Sequence, residues 1–395
     1  MSILVVNAGS SSLKFGLFDD AAQQELANGL IDWTADAGQA ELVLRAAGHE
    51  RRSRADTSNH REAAAHAIRM LTEEPSLIGT IHAVGHRVVH GGTVFRESVR
   101  LDAGVREQID KLSELAPLHN PPALEGIDAT AAALPGRPQF AVFDTAFFAD
   151  LTPAAYIYPI PYAWFADWQI RRFGFHGISH AYCAGRAAEL LQRPATELRL
   201  VICHLGNGCS ASAVSGGKAV DTTMGFTPME GLMMGTRSGS IDPGILTYVE
   251  RRHGLSATQV DDVLNRGSGL LGVSGVASDY RQVEAAAQAQ HERARLALDI
   301  YARRVRATIG ALAVTLGGMD ALIFTAGVGE HSASLRAAAC AGLECLGLEL
   351  DAQRNRDCQP DMDIAASASR TRILVLHTRE ELKIAQEVRR LLGKD

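Results

Sequence analysis

The chain opens with two short apolar runs separated by a small polar turn. Residues 3–6 are aliphatic, residues 13–18 are mostly apolar, and residues 7–12 between them include three serines. Near-continuous apolar runs are typical of buried strands, so this pattern predicts a β-hairpin. Gly9 permits a tight turn, whose backbone N–H groups can face an anion together with the serine hydroxyls and Lys14.

The same pattern returns in the second half of the chain. Residues 198–204 form another mostly apolar run, residues 205–208 contain two glycines, and residues 209–214 are small or apolar. Turns of this kind cradle phosphates when their N–H groups converge. A repeated strand, turn and strand therefore predicts two similar halves that face one nucleotide.

Between and after these hairpins, strand-like and helix-like segments alternate. A polar stretch to residue 54 is typical of strands, and apolar runs predict strands at residues 81–89, 139–143, 321–325 and 372–376. Helical spacing of apolar residues predicts helices at residues 61–71, 103–115, 123–133, 288–316 and 380–392. This alternation favours mixed sheets flanked by helices. The aromatic and proline-rich run 147–168 interrupts it, so we place a domain boundary at its start.

Length and composition narrow the class of protein. A chain of 395 residues with 46% hydrophobic positions predicts two globular domains. The net charge is −6 and no long basic run occurs, which argues against a nucleic-acid partner. Six cysteines without a C-x-x-C pair indicate reduced thiols. Neither a secretion signal nor a membrane-spanning apolar stretch is evident, so we expect a cytoplasmic protein with no membrane partner.

Four glycine-bearing turns follow apolar strands, at residues 7–12, 205–208, 236–240 and 326–329. A single turn of this kind is more often plain hairpin geometry than a ligand site. Two matching turns and a further strand-to-helix turn favour a ligand. No Walker A or G-x-G-x-x-G sequence occurs at the first turn, which disfavours a P-loop enzyme and a simple dinucleotide-binding dehydrogenase.

Four charged or titratable residues sharpen this interpretation. Arg87 lies in a predicted strand and Arg237 in a polar turn, where a planar guanidinium binds carboxylates or phosphates, although an internal salt bridge is the alternative. His176 lies between glycines, and taken alone it is more typical of a core or capping histidine. Asp144 ends a strand among aromatic residues, where a carboxylate is costly unless Arg87 or Mg²⁺ pairs with it.

In this order the motifs resemble the acetate kinase family of the actin, hexokinase and Hsp70-like ATPase superfamily. The resemblance spans almost the whole chain through residues 7–18, 85–92, 118–122, 144–148, 173–180, 204–212, 236–243, 326–330 and 378–382. It implies an α/β fold of two duplicated ribonuclease H-like (actin-like ATPase) domains, with mixed β-sheets flanked by helices. The active site is expected in the interdomain cleft. The expected domains are residues 1–146 with 381–395, and residues 147–380.

The resemblance also implies an activity and its participants. It predicts an ATP:acetate phosphotransferase that moves the γ-phosphoryl group of ATP to acetate, giving acetyl phosphate and ADP in a reversible reaction. Mg²⁺ is the expected metal, with Mn²⁺ as a substitute, and a homodimer is the expected assembly. Within this family pattern the metal would lie near Asn7 and Glu380. Arg87 would bind the acetate carboxylate and then the phosphoryl group in transfer.

The remaining site residues follow from the same family pattern. His176 and Arg237 match the positions that stabilise the transition state, and Asp144 matches the acidic catalytic position. The nucleotide-binding positions are Lys14, Ser10, Ser12, His204, Leu205, Gly206, Asn207, Gly208, Asp279, Tyr280, Arg281, Gly327, Val328, Gly329, Glu330 and His331. The small acyl pocket would be formed by Val89, Leu118, Phe175 and Pro228.

Elementary chemistry modifies one of these roles. Acetate is already ionised at pH 7, so an attacking carboxylate needs no general base. We therefore interpret Asp144 as a positioning residue. The chain departs from the usual family residues at Ile178, His331 and Arg379, where Thr, Asn and Asn are usual.

Two alternatives stay open from the sequence. A propionate or butyrate kinase of the same fold would differ only in pocket volume, and one methylene discriminates by about 1–3 kcal/mol. A non-catalytic Hsp70-like ATP-binding switch is the more distant alternative, although it would leave Arg87, His176 and Arg237 without a role.

Overall fold

The computed structural model describes residues 2–9, 12–36, 39–46, 48–55, 60–73 and 81–393. The chain divides into two units, Met1–Ala149 with Arg379–Asp395, and Asp150–Thr378. The predicted domain bounds differ from these by a few residues. Among the described residues, no helix has the length and hydropathy that crossing a membrane requires.

The first unit is built on an eight-stranded mixed sheet with the order β5-β4-β3-β2-β1-β6-β8-β7. Its strands are β1 (Ser2–Ala8), β2 (Ser12–Asp19), β3 (Glu25–Asp36), β4 (Gln39–Ala46), β5 (His49–Ala55), β6 (Ile81–Val88), β7 (Val99–Arg100) and β8 (Gln139–Phe143). Its helices are α1 (His60–Glu73), α2 (Ala103–Lys111), α3 (Asn120–Ala133) and the C-terminal helix (Glu380–Leu392). Strands β1, β6 and β8 are parallel, so their carboxyl ends meet at one edge of the sheet.

The C-terminal helix packs directly on β6. A Cβ atom at Gly85 would lie 2.7 Å from methyl carbons of both Ile384 and Val388, so only glycine allows this approach. Ile384 and Val388 are fully buried. This packing brings the first turn of the helix to the edge of the sheet where β1 and β6 end.

The second unit is built on a six-stranded mixed sheet with the order β11-β10-β9-β12-β14-β13. Its strands are β9 (Arg199–Leu205), β10 (Cys209–Ser215), β11 (Lys218–Thr222), β12 (Ala321–Thr325), β13 (Met362–Asp363) and β14 (Arg372–Val375). Its helices are α4 (Pro153–Tyr156), α5 (Tyr162–Trp168), α6 (Gly177–Leu191), α7 (Gly244–His253), α8 (Ala257–Arg266), α9 (Gly269–Ser274), α10 (Tyr280–Gln288), α11 (Glu292–Thr315), α12 (Ala326–His331), α13 (Ala333–Cys340) and α14 (Ala352–Arg356).

The two sheets share one plan. The run β3-β2-β1-β6-β8 has two antiparallel pairs followed by two parallel pairs. The run β11-β10-β9-β12-β14 repeats that sequence of pairings. The predicted fold of two duplicated α/β halves with mixed sheets is therefore confirmed, while the cleft location of the active site stays a prediction.

Three predicted helices differ from the observed ones at one end. The predicted helix 288–316 corresponds to α11, which begins only at Glu292 because Gln290 has a left-handed φ of 64° and the side chain of His291 caps the helix. Helix α10, which precedes it, was not predicted. Helix α2 ends at Lys111 and a 3-10 turn follows it. Helix α3 begins at Asn120 rather than residue 123, because prolines fit the first turn of a helix.

Candidate active site

A buried ion pair lies at the edge of the first sheet. Arg87 lies near the end of β6 and Asp144 follows β8, so these parallel neighbours bring the two side chains together. Nε and Nη2 of Arg87 both donate to Oδ2 of Asp144, at 3.1 and 2.7 Å. The Asp144 side chain is fully buried and that of Arg87 is 17% exposed. Arg87 is therefore held in one orientation.

Asn7 and two glutamates complete this group, which we call the arginine cluster (Asn7, Arg87, Asp144, Glu380, Glu381). Nη1 of Arg87 donates to Oδ1 of Asn7 at 3.2 Å and lies 3.7 Å from Oε2 of Glu380. Nδ2 of Asn7 donates to Oε1 of Glu381 at 3.0 Å. Burial lowers the pKa of Arg87, but the surrounding carboxylates outweigh it and raise that pKa above its ordinary value. Three carboxylates against one guanidinium leave the cluster with negative charge.

This negative charge fits the divalent metal that the family pattern implies. Mg²⁺ prefers oxygen ligands and usually binds one or two carboxylates together with waters and substrate phosphates. The Glu380 carboxylate and the Asn7 carbonyl oxygen are such ligands, and Glu381 orients the Asn7 amide. Among the described residues, no group of three His, Cys, Asp or Glu side chains would hold a metal alone.

The other predicted residues of the first unit lie around this cluster or apart from it. Lys14 is exposed on β2 and pairs in register with Asn7 on β1. The N–H of Gly9 donates to the carbonyl of Ser12 at 2.8 Å, which closes the predicted turn. Ser10 lies outside the described residues. Of the acyl-pocket residues in this unit, Val89 is buried and Leu118 is 47% exposed.

Histidines and serines form a hydrogen-bonded group in the second unit. His176 precedes α6 with a left-handed φ of 58°, and its Nδ1 lies 2.9 Å from Oγ of Ser210 on β10. Its ring stacks on that of His204, with centroids 4.3 Å apart. Nδ1 of His204 lies 2.8 Å from Oγ of Ser179, which is in the first turn of α6. The end of β9 and the start of α6 are thereby joined.

Arg237 lies beside this histidine group. Its Nη1 donates to the carbonyl of Pro228, and burial lowers its pKa below the ordinary value for arginine. Within the part of the chain that the structure describes, Arg237 forms no ion pair with a carboxylate. Arg237 is half-buried, and a guanidinium without a carboxylate partner is suited to an anionic substrate.

Gly208 marks the point where these side chains converge. A Cβ atom at this position would lie 2.7 Å from Nη2 of Arg237 and 3.3 Å from Nε2 of His176. Only glycine therefore lets the Arg237 guanidinium and the His176 ring approach this turn so closely. Two nitrogen donors held at one turn are suited to the negatively charged oxygens of a phosphoryl group.

The three predicted nucleotide segments of this unit lie close to one another. Strands β9 and β12 are parallel, with Thr325 opposite His204, so residues 204–208 and 326–331 follow neighbouring strand ends. Asp279 caps α10 and pairs with Arg281 at 2.6 Å. Burial raises the pKa of Tyr280 and outweighs the lowering by Ser332 and Ser334, whose effect places Tyr280 near the segment that follows β12. The structure thus brings together segments that are far apart in sequence.

Individual residues in these segments differ in exposure. Glu330 is buried, and its carboxylate accepts from the Thr378 N–H at 2.9 Å and contacts Nδ1 of His377 at 2.6 Å. Burial raises the pKa of Glu330, but these hydrogen bonds outweigh it and lower that pKa. His331 is exposed. The acyl-pocket residue Phe175 is 1% exposed, and Pro228 is half-buried.

Sequence reasoning missed several residues of the site. Glu381 orients Asn7, and His180, Ser210 and Ser212 extend the histidine group. Two signals were present: His180 follows His176 at the spacing of one helical face, and Ser210 and Ser212 alternate along a strand. The contact between the two pairs is long-range, so neither signal alone identified it.

Comparisons with known proteins cover almost the whole chain. A family model described as the acetokinase family matches residues 2–386. An acetate kinase of Gloeobacter violaceus is 50% identical over 98% of this chain and 98% of its own length. One of Methanosarcina acetivorans is 44% identical over 99% and 97%.

Solved structures agree with these sequence matches. The acetate kinase of Porphyromonas gingivalis has a TM-score of 0.91 and 39% identity, covering 99% of both chains. A propionate kinase from Francisella tularensis subsp. tularensis SCHU S4 also has a TM-score of 0.91 and 39% identity, covering 98% of both chains.

Proposed function

The chain belongs to the acetokinase family, and from this premise we propose that it transfers the γ-phosphoryl group of ATP to acetate with the residues described above. Curated relatives of about half identity over the full length support acetate kinase activity. Membership of an enzyme family argues against the non-catalytic ATP-binding switch. The observation that carries the residue roles is the close approach of both Arg237 and His176 to Gly208.

The proposed reaction is a direct displacement at phosphorus. A carboxylate oxygen of acetate forms a bond to the γ-phosphorus, and the bond from that phosphorus to the β–γ bridging oxygen breaks. ADP leaves with the electron pair, and the product is acetyl phosphate. No proton has to be removed from acetate, so the enzyme's contribution is alignment and charge stabilisation.

Arg87 has the role of holding the anionic acceptor in place. Its guanidinium is fixed by two hydrogen bonds to Asp144 and by Asn7, which supports a positioning role for Asp144 rather than proton transfer. Nη1 is the nitrogen turned to Asn7 and Glu380, away from the Asp144 contact. Bound Mg²⁺, held by Asn7 and Glu380, would neutralise charge on the phosphate oxygens.

His176 and Arg237 have the role of donors to the phosphoryl oxygens as charge develops in the transition state. A preorganised pair of donors stabilises such charge without reorganisation. The segments 204–208, 279–281 and 327–331 have the role of binding the nucleotide. Two finer expectations, a homodimer and a cytoplasmic location, remain part of this proposal.

Acyl hydroxamate formation tests the proposal. The protein is incubated with MgATP, hydroxylamine and acetate, propionate or butyrate in turn, because hydroxylamine traps an acyl phosphate. We expect acetate-dependent product that Arg237→Ala abolishes. Absence of product with all three acids, while ATP still binds, would contradict the proposal.

Propionate is the one alternative acceptor that a comparison favours, because a solved propionate kinase matches this chain as well as a solved acetate kinase does. The ratio of kcat/KM for the two acids decides between them. A ratio above one for propionate over acetate would assign the chain to the longer acid.

A further inference from the structure

A chain of buried hydrogen bonds ends on His176. Oγ of Ser212 lies 2.8 Å from Nδ1 of His180, and Nε2 of His180 lies 2.8 Å from Oγ of Ser210. Oγ of Ser210 lies 2.9 Å from Nδ1 of His176. The side chains of Ser212, His180 and Ser210 are fully buried. We call these three residues the relay.

The hydrogen bonds of the relay could all donate toward Ser212 or all donate toward His176, and only one of these directions gives every relay proton an acceptor. A hydroxyl has one proton to donate, and a neutral imidazole has one N–H and one acceptor nitrogen. Within the described part of the chain, the Ser212 hydroxyl has His180 as its single hydrogen-bond partner. In the direction toward Ser212, His180 carries its proton on Nδ1 and donates it to Ser212. The buried Ser212 proton then has no acceptor on His180, which costs free energy.

The opposite direction gives every proton of the three relay residues an acceptor. Ser212 donates to Nδ1 of His180, Nε2–H of His180 donates to Ser210, and Ser210 donates to Nδ1 of His176. His176 then carries its proton on Nε2. That nitrogen is the one 3.3 Å from the Cβ position of Gly208, beside Nη2 of Arg237.

We propose that the relay Ser212–His180–Ser210 fixes His176 as the neutral Nε2–H tautomer and aims this N–H at the phosphoryl site. A protonated His176 would carry a proton on Nδ1 as well, and Ser210 would then lose the acceptor for its own proton. His180 and the two serines are thus positioning residues, because they act through His176.

The surroundings of His176 agree with a neutral ring. The groups that face it are the stacked ring of His204, the guanidinium of Arg237 and, through Ser210, His180. A cationic His176 would be repelled by Arg237. Burial, followed by the charge of His204, lowers the pKa of His180 well below its ordinary value, so His180 is neutral as the relay requires.

The purpose of the His176 N–H rests on the proposed function, but the tautomer of His176 can be measured without catalytic turnover. Long-range ¹H–¹⁵N correlation spectra of ¹⁵N-histidine-labelled protein at neutral pH report which ring nitrogen carries the proton, and His176→Gln assigns the signal. We expect a protonated Nε2 and a bare Nδ1. An Nδ1–H tautomer or an imidazolium would overturn the inference. An inactive protein with the expected tautomer would instead contradict the proposed function alone.

Variants test whether the whole relay, and not Ser210 alone, sets the tautomer of His176. Ser212→Ala touches neither His176 nor Ser210, yet we expect it to give a mixture of His176 tautomers because it removes the donor that fixes His180. An unchanged tautomer in Ser212→Ala would overturn the inference. Ser210→Ala should lower kcat by roughly 10- to 100-fold with a smaller change in KM, the loss expected when an orienting partner is removed. Ser215→Ala, at the exposed end of the same strand, is the matched control and should retain wild-type kcat and tautomer.

Discussion

At the scale of single residues, the proposed chemistry depends on two arginines in opposite electrostatic settings. Arg87 is surrounded by carboxylates, whereas Arg237 is half-buried and donates to a carbonyl oxygen. The first setting fixes a guanidinium in place, and the second leaves one available to an incoming anion. The two residues should therefore respond differently to mutation.

Arg237→Ala should lower kcat by roughly 10³-fold or more, because an arginine that stabilises phosphoryl transfer contributes at least that much. Arg237→Lys should recover only part of the loss, since an ammonium cannot form two parallel hydrogen bonds. Steady-state kinetics with MgATP and acetate measures both. Arg251→Ala, on the exposed side of α7, is the control that should keep wild-type rates. Equal rates for Arg237→Ala and the control would show that Arg237 has no catalytic role.

Asp144→Asn should reduce stability and activity together. Breaking a buried ion pair costs up to about 3–5 kcal/mol of unfolding free energy, and the loss here should lie below that range because Glu380 still lies 3.7 Å from Arg87. We expect a higher KM for acetate from a less rigid Arg87, with the shape of the pH–rate profile unchanged. Urea denaturation and pH–rate profiles measure the two effects. Loss of one limb of the profile would instead identify Asp144 as a proton acceptor.

At the scale of elements, glycines decide how closely the site's elements approach. Gly208→Ala should lower kcat strongly with little loss of stability, because the new methyl group would clash with the flexible end of Arg237 and displace it from its place beside His176. Gly185→Ala in α6 is the matched control, since its Cβ meets nothing within 4 Å and alanine favours helices. Comparison of kcat and Tm for both variants tests this, and wild-type kcat in Gly208→Ala would contradict it.

How far the sequence predicts the elements depends on the range of the interactions that set them. Strands such as β8 and β12 were predicted at their observed bounds because local apolar runs define them. The start of α11 was predicted four residues too early because Gln288 and Ala289 are helix formers, whereas the left-handed φ of Gln290 keeps that residue out of the helix. The pairing of Arg87 with Asp144 was expected from burial cost alone. The relay was missed because it joins α6 to β10, a contact that no local pattern encodes.

At the scale of the whole molecule, the shared sequence of strand pairings in the two sheets explains why the two halves of the chain carry similar predicted binding segments. In each unit, predicted site residues lie at or after the carboxyl ends of parallel strands. Asn7 and Arg87 lie on β1 and β6, and His204 and residues 326–331 lie on or after β9 and β12. Ligands of open α/β sheets bind at such ends. Duplication therefore supplies two sets of binding residues from one plan.

Buried histidines should make the stability of the molecule depend on pH well above the range of carboxylates. Burial lowers the pKa of His86 to about 4, against 6.5 when unfolded, and lowers that of His180 in the same direction. Below pH 6.5 the unfolded chain therefore binds more protons than the folded one, so stability falls as pH falls. Each such group costs roughly 1.4 kcal/mol of unfolding free energy per pH unit in this window.

Carboxylates with lowered pKa values add to the loss of unfolding free energy only below about pH 4.5, near their unfolded pKa. Glu330, with its hydrogen bonds from His377 and Thr378, stabilises the fold above its unfolded pKa and loses that contribution as pH falls through its folded value. Urea denaturation from pH 8 to pH 5 thus isolates the histidines. His86→Gln should flatten the decline, because glutamine keeps a polar partner for Gln139 without titrating, whereas exposed His253→Gln should not. An unchanged slope in His86→Gln would mean that His86 does not carry this dependence.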